Sequence, residues 1–340
     1  MTLTIEDIAR LSNVSRSTVS RVINGDKKVN EETRGRVLSV IQQNNYEPNI
    51  AARRLAAGRT NIIGLVIPVG GDTIFSDPYF SRLIHGVSMA CNSREFSVML
   101  WLADPEVGRQ MISKIVNNGM LDGVIISSTL LDDPIITTLS HSSMPFVMIG
   151  HHPTLSLNYI DIDNQTSAFQ ITSHLLSCSR VRTRPATITG PRNTMAGLER
   201  YNGFVRALEE NGLPCDPSLV FEGDFSEETG YRGMQQLLAS KPDSVFAAND
   251  RMAAGAYQAI KEAGLNIPND ISVAGFDDIS LASQLDPPLT TIKQPIQSLG
   301  TRAVETLIHV IQQSGNSPIQ LLLQPELVIR NSCGCIFQKN

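Results

Sequence analysis

From Asn61 onward, apolar runs of strand length alternate with segments of helical composition, and the series occurs twice. The first series has Ile62–Ile67, Ser97–Leu102, Gly123–Ile126, Phe146–Ile149 and Tyr159–Asp163; the second has Ala186–Thr189, Leu219–Glu222, Val245–Ala248 and Ile271–Ala274. Strand–helix alternation implies parallel sheets joined by right-handed crossovers. Two series in one chain predict an α/β body of two similar lobes, with a ligand cleft between them at the carboxyl ends of the strands.

Bulk properties agree with more than one compact unit. A chain of 340 residues exceeds one ordinary domain, and its hydrophobic share of 41% suffices for buried cores. No long uninterrupted apolar run is present, which argues against a membrane span. The N-terminal stretch carries Glu6 and Asp7 early and does not read as a secretory signal, so a cytoplasmic location is expected. The cysteines Cys91, Cys178, Cys215, Cys333 and Cys335 are odd in number and scattered; we expect free thiols. Cys333-Gly-Cys335 alone lacks the second ligand pair a zinc site needs, so no metal or other cofactor is expected.

Charge divides the chain unevenly. Residues 1–59 hold ten Lys/Arg against six Asp/Glu, while the remainder holds eighteen against twenty-seven. A basic head on an acidic body suggests that the head alone meets a polyanion. In that head, Ile5, Ile8, Ala9 and Leu11 have helical spacing. Thr4 is a cap, with Asp7 as a short-armed capping-box partner. After a turn at Ser12-Asn13-Val14, Ser15 caps a second helix, Arg16–Ile23, whose Val19, Val22 and Ile23 face inward. Asn24-Gly25 ends it, Gly25 supplying positive φ. A third helix starts after Asn30, with Val37, Leu38 and Ile41 on its apolar side. Two short helices with a three-residue turn and a supporting third describe a helix-turn-helix unit. Its second helix presents Arg16, Ser17, Ser20 and Arg21 outward, and arginine can make two hydrogen bonds to guanine. A small helical bundle with a solvated polar face fits the same pattern. Beyond Pro48 follows a short Ala-rich helical segment, too short to be stable alone.

The stretch TIEDIARLSNVSRSTVSRVING followed by NYEPNIAARRLA resembles the head-piece of the lactose/galactose-repressor family. The resemblance implies a hinge helix that orders on operator DNA and wedges Leu55 into the minor groove, beside Ala52 and Arg53. It makes Arg16 and Ser17 the base readers and matches Arg21 to a later arginine of the recognition helix. Thr4, Thr18, Asn24 and Asn49 match phosphate-contacting positions, and Ser15 and Ser20 complete the DNA-binding set.

The body is similar to the same family's effector domain, which resembles periplasmic sugar-binding proteins. The matching segments include Gly64–Pro68, Asp77–Phe80, Leu121–Ile126, Thr189–Pro191, Ala248–Asp250, Asp270–Asp278 and Pro288–Gln294. One segment departs from the pattern: Leu176-Ser-Cys-Ser-Arg-Val-Arg-Thr-Arg-Pro185 stands where the family usually carries Gly-His. The implied organisation is a helix-turn-helix domain at 1–46, a hinge and linker at 47–59, and an effector-binding and dimerisation domain at 60–340. The N-lobe of that domain takes about 60–162 and 296–323, and the C-lobe about 163–293 and 324–335.

Candidate effector ligands follow the strands. The fork of Arg200 suits paired hydroxyls or a carboxylate, and Asp277 accepts from hydroxyls. Asn249 offers a donor and an acceptor, with Asp250 expected as the cap of the next helix. Phe225 and Tyr79 can stack on a sugar ring or base; Phe80, Ser127, His151 and Gln294 complete the expected set.

No GxGxxG after a strand, GxxxxGK[ST], HExxH or GxSxG occurs, so an enzyme is not expected. The expected function is a homodimeric repressor of a pseudo-palindromic double-stranded operator, controlled by a small effector and with no membrane association. A sugar fits best; a nucleobase or nucleoside, or a phosphoprotein corepressor, is the alternative. Helix Arg82–Ser93 is an expected dimer contributor, and the lack of a leucine-heptad tail speaks against a coiled-coil tetramer.

Overall fold

The computed structural model describes residues 3–26, 28–46, 59–102, 119–178, 182–313 and 317–335. The chain divides into two units, Met1–Thr60 and Asn61–Asn340.

The first unit contains α1 (Ile5–Leu11), α2 (Arg16–Ile23) and α3 (Glu31–Gln43). Each start is set by a side chain that satisfies an orphan amide. Thr4 Oγ1 accepts from Asp7 N (3.3 Å) while Thr4 N donates to Asp7 Oδ2 (3.0 Å), the reciprocal pair expected. Ser15 caps α2 through Thr18 N (3.2 Å) and Asn30 caps α3 through Thr33 N (2.8 Å). Gly25, at φ +72°, turns the chain out of α2. Ile8, Ala9, Val19, Val22 and Val37 form the core. Leu38 does not join it and is 48% exposed. At about 100° per residue, Val40 and Ile41 share the face of Val37 and pack inward, while Leu38 is rotated off it.

The second unit runs β1 (Ile62–Ile67), α4 (Gly71–Ser76), α5 (Pro78–Asn92), β2 (Ser97–Leu102), β3 (Gly123–Ser127), α6 (Pro134–Ser140), β4 (Phe146–Ile149) and β5 (Tyr159–Ile162). It continues through α7 (Asn164–Ser177), β6 (Pro185–Thr189), α8 (Met195–Glu210), β7 (Val220–Glu222), α9 (Glu227–Leu237), β8 (Ser244–Ala247), α10 (Asp250–Glu262), β9 (Ser272–Ala274), α11 (Ser280–Gln284) and β10 (Thr291–Lys293). The last elements are α12 (Ile296–Gln312), β11 (Gln320–Leu323) and β12 (Glu326–Val328).

The strands make two parallel sheets, ordered β11-β5-β4-β3-β1-β2 and β7-β6-β8-β9, as the double alternation predicts. β10 and β12 pair antiparallel as a separate ribbon. β10, β11 and β12 escape the apolar-run reading because Thr291, Lys293, Gln320 and Glu326 interrupt them with polar residues, and Gln320, Leu321 and Leu322 of β11 stay exposed on a sheet edge. The chain passes from the first lobe to the second after β5, returns before α12, and leaves again between β11 and β12.

Helices cover both sheets at close range. A Cβ on Gly255 would overlap the Glu227 carbonyl oxygen, and one on Gly230 the Met252 carbonyl, so α9 and α10 touch backbone to backbone. Gly86 and Gly300 do the same for α5 and α12.

The cysteine expectation needs correction. Cys178 and Cys335 are joined in a disulfide, and only Cys91, Cys215 and Cys333 are free. Their separation of 157 residues hid the pairing, because the C-terminal segment folds back onto the end of α7. The segment that departs from the family pattern is structural where it is described. Arg182 is buried and donates to Asp243 O (2.8 Å) and to Ser272 Oγ, and Thr183 N and Arg184 N both donate to Asp243 Oδ2.

The glycine contacts lead to a stability contrast. Gly255→Ala should cost about 1–3 kcal/mol or more, since the helices must part. Gly35→Ala, at an open position inside α3, should stabilise the first unit by about 0.5–1 kcal/mol. Denaturant midpoints of both variants check this; equal effects would refute the tight α9–α10 crossing.

Candidate functional site

In the first unit, Ser15, Arg16, Ser17, Arg21 and Asn24 are exposed, with Thr18 and Ser20 half-buried. The inward Val19 and Val22 force Arg16, Ser17 and Arg21 outward, because residues on the opposite arc of a helix cannot share the buried stripe. Arg16 pairs with Glu6 (3.2 Å) and Arg21 lies 3.9 Å from Asp26. Exposed pairs of this kind hold by about 0–1 kcal/mol and yield readily to a phosphate or base. Ser15 Oγ stays within hydrogen-bonding reach of Ser17 and Thr18 hydroxyls. Thr4 Oγ1 is engaged by the cap and by Asp7 Oδ2 (2.8 Å). Asn49, Ala52, Arg53 and Leu55 lie outside the described residues.

In the second unit, a cleft opens where the carboxyl ends of both sets of strands meet. Its walls include Tyr79, Ser127, Ser128, Thr129 and His151 from the first lobe, Arg200, Thr194 and Met195 from the second, and Gln294 from the connection between them. Five expected residues therefore line it: Tyr79, Ser127, His151, Arg200 and Gln294. Asp161, Asn164 and the apolar Leu130, Ile149 and Leu299 line it as well and were not anticipated. The pattern Tyr159-Ile-Asp-Ile-Asp163 carried the signal for Asp161, because a carboxylate one residue from the end of a buried strand must find a polar partner.

Arg200 organises the second lobe's wall. Its Nε donates to Asn164 Oδ1 (2.9 Å) and its Nη1 to Ala248 O (2.6 Å), with Asp277 Oδ1 at 3.4 Å. Its guanidinium lies 3.7 Å above the Phe276 ring centroid and 5.9 Å from that of Phe225. Nη2 has no partner among the described residues. Asp277, at φ +110°, lies behind Arg200 and accepts from Gln294 Nε2. Burial pushes the Asp277 carboxyl up to about 7, against the pull of Arg200. Asp277 thus holds Arg200 and Gln294 in place and is not itself part of the cleft lining.

Two further expectations are corrected. Phe80 is buried in the core, its ring edge-on to Tyr79 at 5.3 Å between centroids, because α5 turns it away from the cleft. Asn249, not Asp250, caps α10: its Oδ1 accepts from Met252 N (2.8 Å) while its Nδ2 donates to Phe225 O (2.9 Å). Both ends of the amide are therefore engaged within the protein. Asp250 is instead fully buried and binds Ile279 N (2.9 Å) and Thr291 Oγ1 (2.6 Å). Phe225, at φ +69°, keeps its ring over Gly190, where a Cβ would collide with it.

His151 Nδ1 meets Asp161 Oδ2 (2.8 Å) within the first lobe, and across the cleft its Nε2 faces Glu199 Oε1 (3.4 Å). The lobes also meet through Asp77–Arg251 (3.5 Å) and Arg82 Nη1 to Asp278 O (2.9 Å). The Asp161 hydrogen bond raises the His151 pKa, and burial pushes Glu199 up to about 7. The folded chain therefore binds more protons at Glu199 than the unfolded chain between about pH 4.5 and 7, so stability falls as pH rises through that window. The contribution of His151 has the same sense: present below its ordinary 6.5 and lost as pH rises through its elevated folded value. Glu199→Gln should flatten this fall, gaining on the order of 1 kcal/mol near pH 8 and little near pH 5. Thermal melts across pH check it; an unchanged slope would place the titration elsewhere.

The chain matches the model described as "Bacterial regulatory proteins, lacI family" over residues 4–49 and a periplasmic-binding-protein-like domain over residues 178–333. It is 34% identical to the HTH-type transcriptional regulator CelR of Thermobifida fusca, covering 97% of this chain and 98% of that protein. It is 36% identical to the ribose operon repressor of Escherichia coli (strain K12), covering 97% and 99%. Among solved structures it is similar to a transcriptional regulator CelR–cellobiose complex, with TM-score 0.77 and 32% identity over 97% of this chain and 99% of that one. It is also similar to a lac repressor dimer bound to operator and the anti-inducer ONPF, with TM-score 0.85 and 27% identity over 98% and 99%. A capped helix-turn-helix unit, a two-lobed body with a polar cleft and relatives matched along almost their full length lead to one conclusion: the chain belongs to the lacI family of bacterial regulatory proteins, DNA-binding regulators of transcription and not enzymes.

Proposed function

We propose that this regulator is a repressor whose operator affinity is set by a neutral sugar held in the cleft. The observation that carries the sugar reading is the cleft's chemistry. Hydroxyls of Ser127, Ser128 and Thr129, the Gln294 amide and the Arg200 guanidinium share the cleft with Tyr79, Ile149 and Leu299. That mixture suits a ring with polar edges and apolar faces. Arg200 already faces Asp277, and His151 already faces Asp161 and Glu199, so a phosphorylated ligand would have to displace carboxyl partners from both. The related CelR structure is a cellobiose complex, and another relative is a ribose operon repressor, which supports the same class.

In this reading residues 1–46 dock on the operator, 47–59 form the hinge with Leu55 as the minor-groove wedge, and 60–340 bind effector and dimerise. Asn49, Ala52 and Arg53 flank that wedge on the backbone. The lac repressor neighbour is a dimer on its operator, and the twofold form matches a pseudo-palindromic site. Met89 on α5 and Phe75 on α4 are exposed apolar residues suited to the dimer contact. Among the described residues no helix is long and apolar enough to cross a membrane, and a regulator of this kind works in the cytoplasm with the DNA.

A thermal-shift series on the full chain with neutral mono- and disaccharides, nucleobases and phosphosugars tests the effector class, since a specific ligand stabilises by mass action. A neutral sugar should raise Tm, and a shift with nucleobase or phosphosugar alone would overturn the reading. Arg200→Lys should weaken the productive ligand by about tenfold or more, a cost of about 1.5–3 kcal/mol, while ligand-free operator binding persists. An unchanged ligand response would make Arg200 purely structural. On the DNA side, Arg16→Ala should cost about 1–3 kcal/mol and relax base preference at one symmetric half-site position. Operator titrations at fixed salt should show this selectively; a uniform loss on all sequences would make Arg16 a phosphate contact.

A further inference from the structure

We propose that His174, Cys178, Cys333 and Cys335 form a binding site for a zinc-class divalent ion when the thiols are reduced. The four ligand atoms all lie within 4.8 Å of one another. His174 Nε2 stands 3.4 Å from Cys178 Sγ, 3.4 Å from Cys333 Sγ and 3.6 Å from Cys335 Sγ. A tetrahedral ion with metal–nitrogen bonds of about 2.0 Å and metal–sulfur bonds of about 2.3 Å sets its N···S edges at about 3.5 Å. One nitrogen nearly equidistant from three sulfurs at that spacing sets one vertex of such a tetrahedron, and reduction has to part the bonded Cys178 and Cys335 sulfurs to complete its S···S edges of about 3.8 Å.

The chain builds this arrangement from two local pairs. His174 and Cys178 are four residues apart at the end of α7, on one helix face. Cys333 and Cys335 flank Gly334, whose φ of +79° folds the tail so that both sulfurs meet that face. The Cys178–Cys335 disulfide uses two of the four groups and leaves His174 and the fully buried Cys333 outside the covalent link. The metal uses all four.

Surroundings favour a compact anionic centre. Three thiolates and a neutral imidazole around a divalent ion carry one net negative charge. Arg182, buried, donates to Ser272 Oγ, which in turn donates to Cys333 O (2.9 Å). A guanidinium is thus fixed one hydrogen-bonded residue from the cluster. Cys178 and Arg182 both belong to the segment that departs from the family pattern. The cation and the ligand therefore arrive together.

The chemistry balances without an external oxidant. Starting from the disulfide, two equivalents of a low-molecular-weight thiol open the Cys178–Cys335 bond, giving two protein thiols and one small-molecule disulfide. Cys178, Cys333 and Cys335 then lose three protons to solvent as three sulfur–metal bonds form, and His174 donates its lone pair through Nε2. The thiol hydrogen bond from Cys333 to Arg330 O (3.3 Å) is given up in exchange. The outcome is a clip between the C-terminal segment and α7.

The test uses the full chain, isolated anaerobically with a phosphine reductant and analysed for metal by mass spectrometry, then reloaded with cobalt(II). About one zinc per chain is expected, along with the intense thiolate-to-cobalt charge-transfer absorption of a tetrahedral sulfur-rich site. Cys333→Ser is the discriminating variant, because Cys333 takes no part in the disulfide. It should lower metal affinity at least about tenfold and weaken the charge-transfer band by about a third; His174→Gln should lower affinity similarly while keeping the band. Zinc below about a tenth per reduced chain, or cobalt spectra and affinity unchanged in Cys333→Ser, would overturn the proposal. So would recovery of the Cys178–Cys335 linked peptide from protein kept under reductant.

Discussion

A guanidinium taken out of water has to be surrounded by acceptors, and at Arg200 this requirement ties the second unit together. Its partners come from the start of α7, the end of β8 and the turn after β9, and Phe276 closes over its face. Desolvation of an unpaired cation would cost several kcal/mol, so none of these elements can shift without the others. Asp277 takes a left-handed backbone conformation to reach its place, a local strain of the kind found where a ligand clamp is over-determined by its surroundings. Gln294 extends the same network to the connection between the lobes. The cleft wall is rigid because it is the outside of a solved desolvation problem.

Beside Arg200, His151 and Glu199 are groups whose charge is easily changed. The His151 imidazole lies between the carboxyls of Asp161 and Glu199; the Asp161 hydrogen bond raises its pKa, and burial raises that of Glu199. Placing a titrating cluster against a fixed cation separates two tasks, as Arg200 orients whatever enters and the His151 cluster adjusts to it. The outer face of the first unit is different again. Its arginines are held only by exposed carboxylates and remain free to exchange them for DNA.

How far the sequence could be read follows from the range of each interaction. The caps at Thr4, Ser15 and Asn30 were legible because a cap is decided within three residues. The parallel strands were legible because strands covered on both faces are apolar throughout. Asn249 and Asp250 exchanged roles because either can cap a helix, and what separates them is the distant Thr291 hydroxyl waiting for Asp250. Phe80 sat beside Tyr79 in a promising motif, yet adjacent residues on a helix point about 100° apart, and only one can face the cleft. The Cys178–Cys335 contact and the β10–β12 ribbon were illegible for a single reason. Both depend on where the tail comes to rest, which no local pattern encodes.

The three passages of chain between the lobes have a mechanical consequence. A lone tether lets two bodies swivel about any axis, whereas several connections side by side suppress twisting and leave bending as the soft mode. Whatever enters the cleft therefore does work along one coordinate, as a door moves on its pins. The chain enters the first lobe at its opening strand, β1, so a bend in the body displaces that entry point in a defined direction. Two such bodies related by a twofold rotation axis would move these points in opposite directions across that axis, changing a separation. Were the target to present two fixed half-sites, as the proposed operator would, that separation would be the quantity that counts.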